Sequence, residues 1–312
     1  MHEVAAFRRR IGSGGEAAFL IPSLLLTDAR VGASGIYVGR VRRNTIARVP
    51  YLELRDGVPL FYETVGDGPP IVLVPGWTLT TRFWERQVDD LSRDHRVVTL
   101  DLRGAGCSGK TPQGHSLSGY ADDLGELFRY LDLTDTTLVG YAMGVSVSVH
   151  YLCAQGFDRV AGFVWIDHSP RFYATPDWPH ALFGDLTPET FDETIRRLGA
   201  DRPAATRELL AVMFQDPADW MYAELMKTPT EVAATMLALV AATDLRPLIP
   251  QLDLPTLLIN GKQSVVPFEV GRWLEEHLPK ARGIVLEHAG HGPFWDDPVE
   301  FNRAVREFSS QL

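Results

Sequence analysis

Two cysteines, Cys107 and Cys153, in a chain of 312 residues leave no basis for a disulfide framework or a cysteine-rich zinc site. They suit a reducing compartment, and the expected location is cytoplasmic. No apolar run reaches the roughly 18 residues that a membrane-spanning helix needs. A dense lysine and arginine run is also missing. The 30 basic and 40 acidic residues give a formal charge of −10, a poor match for nucleic acid, and Arg8-Arg9-Arg10 is too short to change that. There is no His-Glu-x-x-His and no Cys/His cluster, so no metal is expected. Gly104-x-Gly106 lacks the third glycine of a dinucleotide fingerprint, so no cofactor is implied. A small-molecule substrate remains the expected partner, with neither nucleic acid nor membrane, and a homodimer left open.

What is present is a chain of ordinary globular composition, 45% hydrophobic and 22% charged, long enough for one large α/β domain with an insertion. Residues 1–48 are irregular. Arg8 to Arg10 ahead of the apolar stretch 19–26 loosely mimic a secretory signal, but Glu3, Glu16 and Pro22 argue against one. This extension is expected to pack on the domain surface or on a second subunit.

From Val49 the pattern becomes regular. Runs at 51–55 and 60–64 flank the turn Asp56-Gly57 and read as strands. Short apolar runs at 71–74, 97–100, 137–140, 162–166, 256–260 and 283–286 read as buried strands, mostly parallel. Helical stretches lie between them at 83–92, 117–131, 143–155, 270–278 and 298–312. Strands alternating with helices imply a sheet covered on both faces. Residues 170–245 break the rhythm: they hold no β-like run and are rich in aromatics. The expected organisation is a core of 49–169 and 246–312 with a helical lid at 170–245. Most of the lid's aromatics should serve its own packing.

The most informative absence is a hydroxyl. Gly140-Tyr141-Ala142-Met143-Gly144 stands between a strand and a helix, where a G-x-S-x-G turn would present a nucleophilic serine. Alanine has no reactive atom. Three further segments accompany it in order: Val74-Pro75-Gly76-Trp77, Asp101-Leu102-Arg103-Gly104-Ala105-Gly106-Cys107-Ser108, and Ala289-Gly290-His291-Gly292-Pro293-Phe294. Together the four resemble the α/β-hydrolase family, in its esterase and non-haem chloroperoxidase branch, over residues 49–312.

The resemblance implies a mostly parallel α/β-hydrolase sheet and a set of roles. Ala142 stands at the nucleophile position and His291 at that of the catalytic base, with His288 peripheral. The usual place for the orienting acid, in Gly261-Lys262-Gln263-Ser264-Val265-Val266-Pro267, holds Ser264 instead. Asp167, at the end of the preceding strand, is the better candidate, and it keeps the order nucleophile, acid, histidine. Its alternative role is a turn cap in Asp167-His168-Ser169-Pro170. The backbone N–H groups of Met143 and Trp77 should form an oxyanion hole. Asp101 and Arg103 should brace loops, Cys107 should be a small buried residue, and Ser146 should point away from the turn. An apolar substrate pocket is expected to draw on Phe172, Trp178, Phe214, Trp220, Met221, Phe294 and Trp295.

Three functions fit these residues. The first is a hydrolase of a fairly hydrophobic ester, lactone or thioester, inactivated by serine-to-alanine replacement at 142. The second is a natural serine-less protein using His291 and Asp167 for acid–base chemistry, and the third a binding protein on the same scaffold.

Overall fold

The apolar runs pair into one eight-stranded sheet in the computed structural model, which describes residues 50–312. What was read from residues 1–48 lies outside the described residues. The strands are β1 (Tyr51–Glu53), β2 (Pro59–Val65), β3 (Pro70–Val74), β4 (Arg96–Leu100), β5 (Thr136–Tyr141), β6 (Val160–Ile166), β7 (Thr256–Gly261) and β8 (Ala281–Leu286). Their order across the sheet is β1-β2-β4-β3-β5-β6-β7-β8. The first two strands join antiparallel, and every pair from β4 to β8 is parallel. β5 is buried along its whole length and β3 is buried over Ile71–Val74. Strands covered on both faces need no polar alternation, which is why they read as continuous apolar runs.

The helices of the core are α1 (Glu85–Leu91), α2 (Leu117–Tyr130) and α3 (Met143–Gln155). Between β6 and β7 the chain inserts α4 (Pro188–Ala200), α5 (Arg202–Met213), α6 (Asp219–Leu225) and α7 (Thr230–Ala241). After β7 come α8 (Phe268–His277), the short α9 (Pro293–Asp296) and α10 (Pro298–Ser309). Several helix starts are encoded locally. Ser116 caps α2 by accepting from Gly119 N at 2.9 Å, and Asp201 caps α5 by accepting from Ala204 N at 3.0 Å. Thr187 and Thr190 form a reciprocal capping box on α4. Among the described residues no helix is long and apolar enough to cross a membrane.

The chain runs from β3 outward to β4 and then back across to β5, so strand order reverses at the β3/β5 pair. In open α/β sheets the crevice beyond the carboxyl ends of such strands binds ligands. Two glycines let backbone close in around it. A Cβ on Gly144 would collide with Val74 O and lie 2.7 Å from Pro75 O, so the start of α3 packs directly on the end of β3. A Cβ on Gly261 would collide with Gly290 O and come within 2.6 Å of Ala289 O. The end of β7 therefore sits against the loop that carries His291.

Candidate active site

Every residue singled out for chemistry lies just past the carboxyl end of a parallel strand. Trp77 follows β3, Ala142 follows β5, Asp167 follows β6 and His291 follows β8. Three residues there hold left-handed backbone conformations without being glycine: Thr78 (φ 56°), Ala142 (φ 46°) and Asp167 (φ 43°). Each such conformation costs on the order of 1–3 kcal/mol and persists only where the surroundings enforce it. Ala142 N donates to Ile166 O at 3.2 Å and Ala142 O accepts from Val145 N at 2.9 Å, which pins the turn on both sides.

The strain at Ala142 yields a stability prediction. Glycine adopts this conformation without a Cβ penalty, though it loses more entropy on folding. Ala142→Gly should therefore stabilise the chain by about 1 kcal/mol net, read as a raised urea midpoint at unchanged slope. A lowered midpoint would show that the turn is relaxed with alanine in place.

Asp167 is fully buried and both of its oxygens accept hydrogen bonds. Oδ2 accepts from His291 Nδ1 at 2.7 Å and from Ser264 Oγ, while Oδ1 accepts from Gly261 N at 3.1 Å. Burial pushes its carboxyl above the ordinary carboxylate range, even against the pull of His291, Ser264 and Gly261. Ser264 thus stands where the sequence pattern leads one to expect an acid, and it donates to the acid on the neighbouring strand. Its Oγ also accepts from Val266 N at 3.0 Å, which fixes the hydroxyl's direction. With Nδ1 bound to a carboxylate, a neutral His291 carries its lone pair on Nε2. The His291 loop is held by Gly290 N donating to Asp296 Oδ2 at 2.9 Å and by Gln263 N donating to Ala289 O at 3.0 Å. The His291 ring lies 5.2 Å from that of Tyr141.

Ala142, Met143, Trp77 and His291 line one cavity of about 290 Å³. A Cβ added at Gly76 would fall 3.3 Å from Ala142 Cβ, so the loop bearing Trp77 lies against the turn. Trp77 Nε1 donates to Ala233 O at 2.7 Å and locks that loop to α7.

The cavity wall corrects the expected substrate pocket. Phe172 lines it, but Trp178, Phe214, Trp220, Met221, Phe294 and Trp295 do not. Most of those aromatics pack on one another: Phe214 lies 5.8 Å from Phe294, Trp220 5.7 Å from Trp295, and Phe83 5.1 Å from Trp220. Arg86 and Arg82 cover the outer rings of Trp295 and Trp220 at 3.7 and 4.2 Å. Met221 is fully buried, and Trp178 packs against Trp273 at 5.1 Å. Rings this large gain most where they are enclosed, so they join the insert to the core. From the insert the wall instead takes Phe183 and Phe191 together with the aliphatic side chains Leu209 and Met213 of α5 and Leu237 and Val240 of α7. The helical spacing of the aliphatic residues was visible in the sequence, but nothing there distinguished a cavity face from a core face.

A second histidine reaches the same cavity. His168 is 3% exposed, and its Nε2 lies 2.9 Å from Ser146 Oγ. Burial first, and the charge of His291 second, lower it to about 3, so it is neutral. Ser146 is fully buried and turned to His168, away from the turn, while His288 is exposed. Cys107 is exposed, contrary to expectation, because its backbone N–H reaches inward to Asp101 Oδ2 at 2.6 Å.

Asp101 and Arg103 hold loops. Arg103 forks onto Asp123 at 2.5 and 2.6 Å and reaches Asp56 at 2.6 Å. Asp101 accepts from Thr81 N at 2.7 Å, tying its loop to the segment that follows Trp77. Burial pushes the Asp101 carboxyl up to about 6, against the donors Cys107 N and Thr81 N. A raised carboxyl pKa means that the folded state holds its proton longer than the unfolded chain. The contribution is full below the unfolded value near 4 and is lost as pH rises through about 6. Relative to Asp101→Asn, the chain should lose on the order of 3 kcal/mol of stability between pH 4 and 7. Urea titrations of both proteins across that range test this, and parallel curves would contradict it.

Comparison with known proteins follows the geometry. Residues 69–298 match the family model described as alpha/beta hydrolase fold. The pimeloyl-[acyl-carrier protein] methyl ester esterase of Nitrosomonas europaea is 28% identical over 251 residues, covering 77% of this chain and 95% of that protein. Non-heme chloroperoxidase CPO-A1 of Kitasatospora aureofaciens is 28% identical over 280 residues, covering 83% and 99%. Among solved structures, an esterase from Exiguobacterium antarcticum superposes with a TM-score of 0.79 at 25% identity, covering 83% of this chain and 98% of that one.

Proposed function

Because the chain belongs to the α/β-hydrolase fold family, we propose that its site is built for acyl transfer from a small hydrophobic carboxylic ester, lactone or thioester, and that residue 142 is the nucleophile position. One observation carries this reading. The Asp167–His291 pair and a strained turn meet at one end of an apolar cavity, and the only part missing is a reactive atom at Ala142. His291 is the base that would take a proton from a nucleophile and return it to the leaving group. Asp167 fixes the imidazole's tautomer, and the N–H groups of Met143 and Trp77 receive the developing oxyanion. Helices α4–α7 act as the lid that covers the acyl group. The relatives named as esterases support the substrate class.

In the present chain alanine stops the reaction before attack, which leaves a protein that binds substrate without turning it over. The volume sits at the lower end of the range of about 300–1,000 Å³ typical of small-molecule sites. Short aryl esters should therefore bind saturably by calorimetry, with no hydrolysis above the buffer rate. Leu237→Trp, which fills the aliphatic part of the wall, should weaken that binding at least tenfold, or about 1.4 kcal/mol. Equal affinity in both proteins would place the ligand outside this cavity and remove the basis for the substrate assignment.

His168 favours a second reading. Two imidazoles face one cavity, one held by a carboxylate and one kept neutral by burial. In this reading His291 Nε2 takes a proton from a carbon beside a substrate carbonyl. The electron pair moves onto the carbonyl oxygen at the Met143 and Trp77 N–H groups, and the proton then returns to carbon. Solvent deuterium entering a bound ketone in the Ala142 chain, and failing to enter with His291→Ala, would favour it.

A further inference from the structure

Among the described residues, a buried cation in the insert has no counter-ion. Arg202, the first residue of α5, is 6% exposed. Its Nη2 donates to Leu225 O at 3.1 Å, while Nε and Nη1 have no hydrogen-bond partner. Two threonine hydroxyls nearby, those of Thr206 and Thr228, are buried and equally unpartnered. Thr206 stands one turn from Arg202 on the buried face of α5. Thr228 N donates to the same Leu225 O at 3.3 Å, which brings Thr228 beside the guanidinium. The adjacent carboxylates are engaged elsewhere: Glu224 pairs with Thr80, Lys227 and Arg82, and Asp201 caps its own helix at Ala204 N. The Trp77 ring, 5.0 Å from the guanidinium carbon, offers a π-face but no negative charge.

We propose that Arg202, Thr206 and Thr228 form a buried site for a small monovalent anion of the halide type. An unpaired guanidinium removed from water is costly, and it carries only donors. Water would fill the donors without neutralising the charge, whereas an anion does both. The size limit follows from position. None of the three residues lines the substrate cavity, so an organic carboxylate bound there does not meet them. Binding also has a structural consequence. The guanidinium faces Trp77, the residue before the strained Thr78, so an anion at Arg202 would fasten the insert to the loop beside Ala142.

The test uses the full chain. Thermal midpoints are measured in sodium chloride, sodium bromide and sodium gluconate at equal ionic strength, gluconate being too large for the site. Chloride and bromide should raise the midpoint saturably by about 3 °C over gluconate, and Arg202→Met should abolish the difference. Should that variant not fold, Thr206→Val removes one donor at similar volume and should shift the halide titration severalfold to higher concentration. Crystals grown with bromide should show an anomalous peak among the three side chains. Equal midpoints in all three salts, or ordinary water density at the site with no anomalous peak, would overturn the proposal.

Discussion

Replacing Ala142 by serine is expected to raise hydrolysis of activated aryl esters by up to about 10⁶-fold over the present chain, roughly 8 kcal/mol of barrier. That figure is the loss measured when the serine is removed from a well-studied triad. Its full recovery requires everything else to be in place. The site meets that condition at several points. The turn keeps its left-handed φ of 46° with alanine in it, so a serine need not create the conformation that exposes it. His291 Nδ1 is bound to Asp167 at 2.7 Å, which directs the lone pair of Nε2 away from the carboxylate. Met143 and Trp77 lie beside residue 142 on the same cavity wall, and their backbone donors are untouched by a side-chain change. The comparison is of initial rates for both purified proteins over a panel of short aryl esters and lactones. A serine form no faster than the alanine chain would mean that the imidazole or the oxyanion donors are misplaced for acyl transfer.

In that serine form, Asp167→Asn should lower turnover by about 10⁴, near 5 kcal/mol, with little change in KM. The cause lies in the donors that converge on this carboxylate. Oδ2 accepts from both His291 and Ser264, and Oδ1 accepts from Gly261 N. An amide offers one acceptor oxygen and one donor nitrogen. Placing its NH₂ toward Nδ1 forces the wrong tautomer on His291, and placing it toward Gly261 sets donor against donor. Stopped-flow or steady-state turnover separates the two parameters. Ser264→Ala leaves the carboxylate and removes only one of its donors, so its loss should be far smaller. An equal loss in the two variants would mean that the arrangement around Oδ2, and not the charge of Asp167, sets the rate.

The parts of this site that could be read from sequence are those that depend on neighbours in the chain. The turn 140–144 needs its glycines because a Cβ on Gly140 would strike the start of α3 at Gly144 and Val145, and one on Gly144 would strike the end of β3. The strands β3 to β7 announce themselves because burial on both faces favours apolar runs, while the edge strand β8 is only partly covered. Asp167 was legible by its position at the end of a strand, but the role of Ser264 was not. The pair meets only because β6 and β7 are neighbours, with Ile166 opposite Ile259. The cavity wall is hidden from the sequence for a related reason. Aromatic residues mark large buried area, not the side of a helix that area faces. In this fold Phe214, Trp220, Phe294 and Trp295 close on each other, while Leu209, Met213, Leu237 and Val240 face the cavity. His168 stands in the segment 167–170, but its partner Ser146 and its place at the cavity come from tertiary packing, as does the lack of partners at Arg202.

The claim on which the rest depends is that residue 142 is where the acyl group would be carried. The measurement that addresses it is rapid-quench intact mass, followed by peptide mapping, on Ala142→Ser mixed with an activated short-chain aryl ester. The expected result is an added acyl mass, formed before steady state, on the peptide that contains residue 142, absent from the unmodified chain and from Ala142→Ser with His291→Ala. No adduct on the serine form, together with His291-dependent conversion of a substrate by the Ala142 chain itself, would contradict it.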